Sequence, residues 1–141
     1  MKVYLDTSSL LKLYHQEKDS DAVLSVIEGG VDGIFLSEIA GLEFRSAFWR
    51  KVRERELDEK IAGEAIEYFQ NDFDKFQWVA LQADIIESAK SLLMKHGGKG
   101  LRTLDSLQLA SAMTLKEDDC MFLTSDVLLK SLMREENLKV V

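Results

Sequence analysis

Proline is absent from this 141-residue chain and cysteine occurs once, at Cys120. A lone cysteine forms no intrachain disulfide, and with only His15 and His96 beside it in the sequence it makes no zinc cluster. Long apolar runs are missing as well. None approaches the roughly 18 to 20 residues that a membrane helix needs. Met1 leads straight into strand-like Val3-Tyr4-Leu5 and an aspartate, without the charged leader and apolar core of a signal peptide, so a cytoplasmic protein with no membrane association is expected. Positive charge is also scarce: 18 Lys and Arg against 25 Asp and Glu leave a net charge of −7, which argues against a broad basic surface for nucleic acid. Acids gathered around divalent cations would reverse that sign locally and attract phosphate.

What is present is an ordinary globular composition, 46% hydrophobic and 30% charged, without repeat, linker or low-complexity tract. One domain over residues 1–141 is expected. Val3 to Leu5, Gly33 to Leu36, Gln77 to Leu81, Cys120 to Leu123 and Leu138 to Val141 read as strands. Helical periodicity fills the intervals. A first helical region runs from after Asp6 through Val23, Val26 and Ile27 to a stop at Gly29-Gly30. Ile39, Leu42, Ser46 and Trp49 follow at helical spacing, then Ile61, Ala65, Phe69 and Phe73, and further helices over about 83–95, 103–116 and 127–134. Strand and helix in alternation imply an α/β fold, a three-layer sandwich with a central parallel sheet flanked by helices. The loop His96-Gly97-Gly98-Lys99-Gly100 lacks both the preceding strand and the spacing of a phosphate loop, and reads as a helix connection.

In open parallel sheets ligands bind beyond the carboxyl ends of the strands, where strand order reverses. Asp6 directly follows the first strand and Asp126 follows the fourth. Each alone is explained as a helix N-cap. Glu43 lies beside the Ile39, Leu42 and Ser46 stripe, which is expected to face the core, where an unpaired carboxylate is costly. Asp105 falls in the first turn of its helix, a position that tolerates an anion. The joint pattern says more than any member: four acids would converge on one pocket. Unit charges about 4 Å apart repel by about 4 kcal/mol at an effective dielectric of 20, so such a group calls for protons or cations. Hard oxygen ligands without Cys or His select Mg²⁺, with Mn²⁺ as a substitute.

The same residues carry a family resemblance. Tyr4-Leu5-Asp6-Thr7-Ser8-Ser9-Leu10-Leu11-Lys12-Leu13-Tyr14 resembles the opening motif of PIN domains, in particular the VapC toxins of toxin–antitoxin pairs. Ser37-Glu38-Ile39-Ala40-Gly41-Leu42-Glu43-Phe44-Arg45-Ser46-Ala47 is similar to the second motif, whose glutamate before Ser-Ala falls on Glu43 and not on Glu38. Leu101-Arg102-Thr103-Leu104-Asp105-Ser106-Leu107-Gln108-Leu109-Ala110 resembles the third motif and Leu123-Thr124-Ser125-Asp126 the fourth. Gln108 stands where many relatives have a histidine. The resemblance implies a PIN-like sheet ordered 3-2-1-4-5, Mg²⁺-dependent cleavage of RNA, homodimers, and inhibition by a cognate antitoxin.

On this reading Asp6, Glu43, Asp105 and Asp126 form the catalytic and metal-binding set. Asp6 and Asp105 are expected as direct ligands; Glu43 and Asp126 bind directly, through water, or orient the nucleophile. Ser8 and Thr124 are expected as supporting hydroxyls. Lys99 and Arg102, flanking Asp105, are the expected phosphate contacts. The basic stretch Arg45 to Arg55 reads first as a solvated helix face and second as a track for RNA. Two rivals remain. An aspartyl-phosphate phosphatase also starts from an acid after the first strand, but Ser8 stands where its second aspartate belongs. A catalytically inactive PIN-like binding module would use the acids only to hold structure or a partner.

Overall fold

A computed structural model describes residues 1–141. Four parallel strands, β1 (Lys2–Leu5), β2 (Gly33–Ser37), β3 (Gln77–Val79) and β4 (Cys120–Leu123), form one sheet in the order β3-β2-β1-β4. β1 is central: Lys2 pairs with Gly33 on one side and with Cys120 on the other. The chain builds the sheet outward from β1 through β2 to β3, then returns to the opposite side of β1, so strand order reverses between β1 and β4.

The expected fifth strand, Leu138 to Val141, is reduced to a single parallel bridge between Phe122 and Val140. The Phe122 amide donates to the Lys139 carbonyl and the Val141 amide to the Phe122 carbonyl, and a ladder needs at least two successive bridges. β3 also stops short, at Val79, where the Glu38 amide just beyond β2 takes the last carbonyl.

Helices cover both faces, as alternation along β1 dictates. Val3 and Leu5 join an apolar layer with α1 (Thr7–Leu11), α2 (Ser20–Glu28), α3 (Ala40–Arg53) and α4 (Glu59–Asn71). Tyr4 and Phe122 join the other, with α5 (Ala83–His96), α6 (Thr103–Met113) and α7 (Val127–Glu135). The first helical region is two helices and not one. Between α1 and α2 the polar run His15 to Asp19 turns the chain, with Asp19 left-handed at φ 69° and the Ser20 hydroxyl accepting from the Glu17 amide. Aspartate tolerates that conformation better than most residues. α6 ends at Met113, three residues before Lys116, because successive amides from Thr114 to Lys116 bond three residues back and tighten the helix out of register. The glycine-rich connection forms a short 3-10 turn over Gly97–Lys99 and leaves through Gly100 at φ 109°, which only glycine adopts freely.

The buried face of α3 is Ala40, Phe44 and Phe48, not the expected stripe; Leu42 is 70% exposed. The Phe44 ring packs at a tilt 4.2 Å from Phe69 and 4.8 Å from Phe48, and Tyr14 meets it edge-on. Burying one such ring contributes roughly 1.5–3 kcal/mol, enough to fix the roll of α3. With the phenylalanines inward, Ile39, Leu42, Glu43, Ser46 and Arg50 turn toward the strand ends. α4 shows the same offset, with Ala62, Ala65 and Phe69 buried and Ile61 nearly half exposed.

Candidate active site

A cleft of about 570 Å³ opens at the carboxyl ends of β1 and β4, and Asp6, Ser8, Glu43, Asp105, Gln108 and Asp126 all line it. Asp6 is the most buried of the four acids. It is 3% exposed and caps α1, with Oδ1 accepting from the Ser9 amide at 2.9 Å and the Ser8 hydroxyl at 2.7 Å, while Oδ2 accepts from the Thr124 hydroxyl. Burial pushes its pKa from 3.8 up to about 6; these three bonds oppose the rise and the charge of Asp126 adds to it.

Asp126 caps α7, its Oδ1 accepting from the Leu129 amide at 2.7 Å, so the capping role and a place in the cleft coexist in both aspartates. Ser8 ties the two strand ends together: its hydroxyl donates to Asp6 and accepts from the Ser125 amide at 2.9 Å. Asp105 sits in the first turn of α6. Its pKa is raised, first by partial burial and then by Asp126, against the pull of Arg102.

Glu43 projects from the first turn of α3 and is held on one oxygen, Oε1, by the Thr7 hydroxyl and by the Gln108 amide nitrogen, each at 2.8 Å. Nowhere in the chain do three His, Cys, Asp or Glu side chains converge closely enough to form a ready-made metal cage. The donors facing the cleft are nevertheless carboxylate and hydroxyl oxygens. Such a set suits Mg²⁺, which keeps several of its waters and takes only one or two protein carboxylates.

Of the two expected phosphate contacts, Lys99 lies away from the cleft and Arg102 stands near Asp105 without lining it. Lys99 is bonded to Glu135 at 2.6 Å, and Arg102 stands exposed at the start of α6; neither lines the cleft. Arg50 and Arg53 do line it. Their spacing from Glu43, seven and ten residues on, puts all three along one side of α3, a signal present in the sequence within the Arg45 to Arg55 stretch.

The PIN domain family matches residues 3–140. The chain belongs to the PIN domain family. Solved structures with the same fold include FitAcB from Neisseria gonorrhoeae, at a TM-score of 0.72 and 14% identity, covering 98% of this chain and 95% of that one. VapC20 of Mycobacterium tuberculosis, described as a toxin that cleaves the sarcin-ricin loop, aligns at 0.67 and 14% identity, covering 92% and 94%. VapBC2 from Rickettsia felis, bound to a promoter DNA fragment, aligns at 0.65 and 14% identity, covering 100% and 98%. No curated protein sequence matches. Within this PIN domain, the switch point between β1 and β4 and the cleft coincide. No helix is long and apolar enough to cross a membrane.

Proposed function

We propose that this PIN domain is a Mg²⁺-dependent endoribonuclease and the toxin of a toxin–antitoxin pair. The observation that carries the reading is Asp6: a buried carboxylate at the switch point, beside Asp126 and Asp105, at the floor of a cleft rimmed by Arg50 and Arg53. The solved structures of the same fold support it, since they include VapBC and toxin–antitoxin complexes and a toxin described as cleaving the sarcin-ricin loop.

Asp6 and Asp105 would hold the cation, and Asp126, whose charge acts on both, would add to the negative field there. When bound, Mg²⁺ acidifies a water and neutralises charge developing on the phosphodiester. Ser8 and Thr124 fix the Asp6 carboxylate in one orientation. Arg50 and Arg53 meet the phosphates on either side of the scissile one and offset the acidity of the floor. The reaction is an in-line hydrolysis leaving 5′-phosphate and 3′-hydroxyl ends. A cognate antitoxin would silence the enzyme by placing an Arg or Lys among the carboxylates, where a guanidinium fork pairs bidentately. A homodimer belongs to the same reading.

A second reading is a PIN-like binding module without catalysis, in which the acids hold only structure, as Asp6 and Asp126 do in capping α1 and α7, or a partner. An aspartyl-phosphate phosphatase would need a second aspartate two residues after Asp6, where Ser8 stands. Incubating the purified protein with structured and single-stranded RNA, with Mg²⁺ and with EDTA, separates the readings. Cleavage that requires Mg²⁺ and is lost in Asp6→Asn is expected; RNA binding without cleavage in either condition would leave the binding module.

A further inference from the structure

Beneath Glu43 a chain of hydrogen bonds leads from the buried face of the sheet to the cleft wall. Tyr4 is fully buried against the apolar residues of its layer, and Gln108 is 2% exposed on α6, which also buries Ser106 and Ser111. The Tyr4 hydroxyl meets the main-chain carbonyl of Gln108 at 3.2 Å and also its side-chain Oε1. Both are acceptors, so the phenol must donate.

A carboxamide whose oxygen is taken on one side turns its NH₂ to the other. There Gln108 Nε2 donates to Glu43 Oε1 at 2.8 Å and to the Thr7 hydroxyl at 3.1 Å, while that hydroxyl donates to the same Glu43 oxygen. The chain therefore runs one way, from Tyr4 through Gln108 to Glu43. We propose that Gln108, oriented by Tyr4, is the positioning residue for Glu43, holding its carboxylate by Oε1 so that it reaches water or substrate from the cleft wall and does not join Asp6 as a direct cation ligand. This rests on the nuclease reading; the hydrogen bonds that hold Glu43 Oε1 are its support.

Stability of the metal-free protein tests the geometry alone. Gln108→Glu replaces the donor with an acid facing Glu43 and is expected to lower the melting midpoint by roughly 5 °C. Adding Glu43→Gln restores one amide and one carboxylate with the donor on the opposite partner, so most of the loss returns. A double variant no more stable than Gln108→Glu alone would overturn the proposal.

Kinetics and cation binding test the role. Gln108→Leu should lower kcat by roughly 10- to 100-fold with KM little changed, and should keep the Mg²⁺-induced rise in melting midpoint that Asp6→Asn loses. Gln108→His should recover most of the rate, because a neutral imidazole offers one acceptor for Tyr4 and one donor for Glu43. Wild-type kcat in Gln108→Leu, or loss of the Mg²⁺ effect equal to that of Asp6→Asn, would overturn it. A wild-type protein that cleaves no RNA would sink the nuclease reading instead, and the paired swap would still decide the geometry.

Discussion

Thr124 donates its hydroxyl to Oδ2 of Asp6 across the seam where β1 and β4 leave the sheet. It is the largest influence opposing the effect of burial on that acid. Thr124→Val keeps the shape and removes the donor. A hydrogen bond to a charged group contributes about 1.5–3 kcal/mol, so the variant should lose that order of stability at pH 7.5 and less at pH 5, where Asp6 is largely protonated. Urea denaturation at the two pH values measures it. Equal losses at both would mean the bond does not hold the charge.

The raised pKa of Asp6 fixes a sign for pH dependence. Between about pH 4 and pH 6 the native state keeps a proton that the unfolded chain releases, so stability falls as pH rises through that window. The shift from 3.8 to about 6 corresponds to a contribution on the order of 3 kcal/mol from this group. In EDTA, Asp6→Asn should therefore gain on the wild type as pH climbs from 4 to 7. A constant difference across that range would contradict the assignment.

Asp105 is raised in the same direction by burial and by Asp126. Asp105→Asn removes one charge from a mutually repelling group and should abolish RNA cleavage while leaving the metal-free protein as stable as before, or more so. Cleavage assays beside thermal melts in EDTA check both halves. An unfolded variant, or a fully active one, would remove Asp105 from the site.

Arg50 and Arg53 are exposed on the cleft rim, and neither is tied into an ion pair. Replacing either with Ala should alter stability by no more than about 0.5 kcal/mol. RNA affinity should weaken similarly for different sequences, and the slope of log affinity against log salt should shrink by about 0.7 per arginine on a single strand. Lys99→Ala, which loses only the ion pair with Glu135 at the end of α7, should leave that slope unchanged.

Much of this layout could be read from the chain. Short apolar runs each followed by an acid or a hydroxyl put Asp6 and Asp126 at strand ends, and the reversal of strand order placed them together. The roll of α3 could not be read, because Leu42 and Phe44 are both apolar and only the aromatic contacts with Phe69 and Tyr14, donated by distant segments, decide which goes inward. Arg50 and Arg53 were overshadowed by the overall acidity, though their helical spacing from Glu43 was visible. The Tyr4–Gln108 contact joins residues 104 apart, beyond any local pattern, although a tyrosine in the middle of a central strand always needs a partner for its hydroxyl. The fifth strand failed for a local reason, since the apolar character of Leu138 to Val141 says nothing about how many successive bridges will form.

β1 is only four residues long, flanked by strands on both sides and by an apolar layer above and below. Amides in such a segment exchange with solvent only when the whole domain opens, whereas helix surfaces and rims open locally at much lower cost. The Asp6 amide shares that protection through its bond to the Leu123 carbonyl. The floor of the cleft is thus fastened to the slowest-exchanging part of the chain, and the exposed side of α3 that carries Leu42, Arg50 and Arg53 belongs to a faster one. Breathing of the domain reshapes what the cleft admits well before it disturbs the acid at its base.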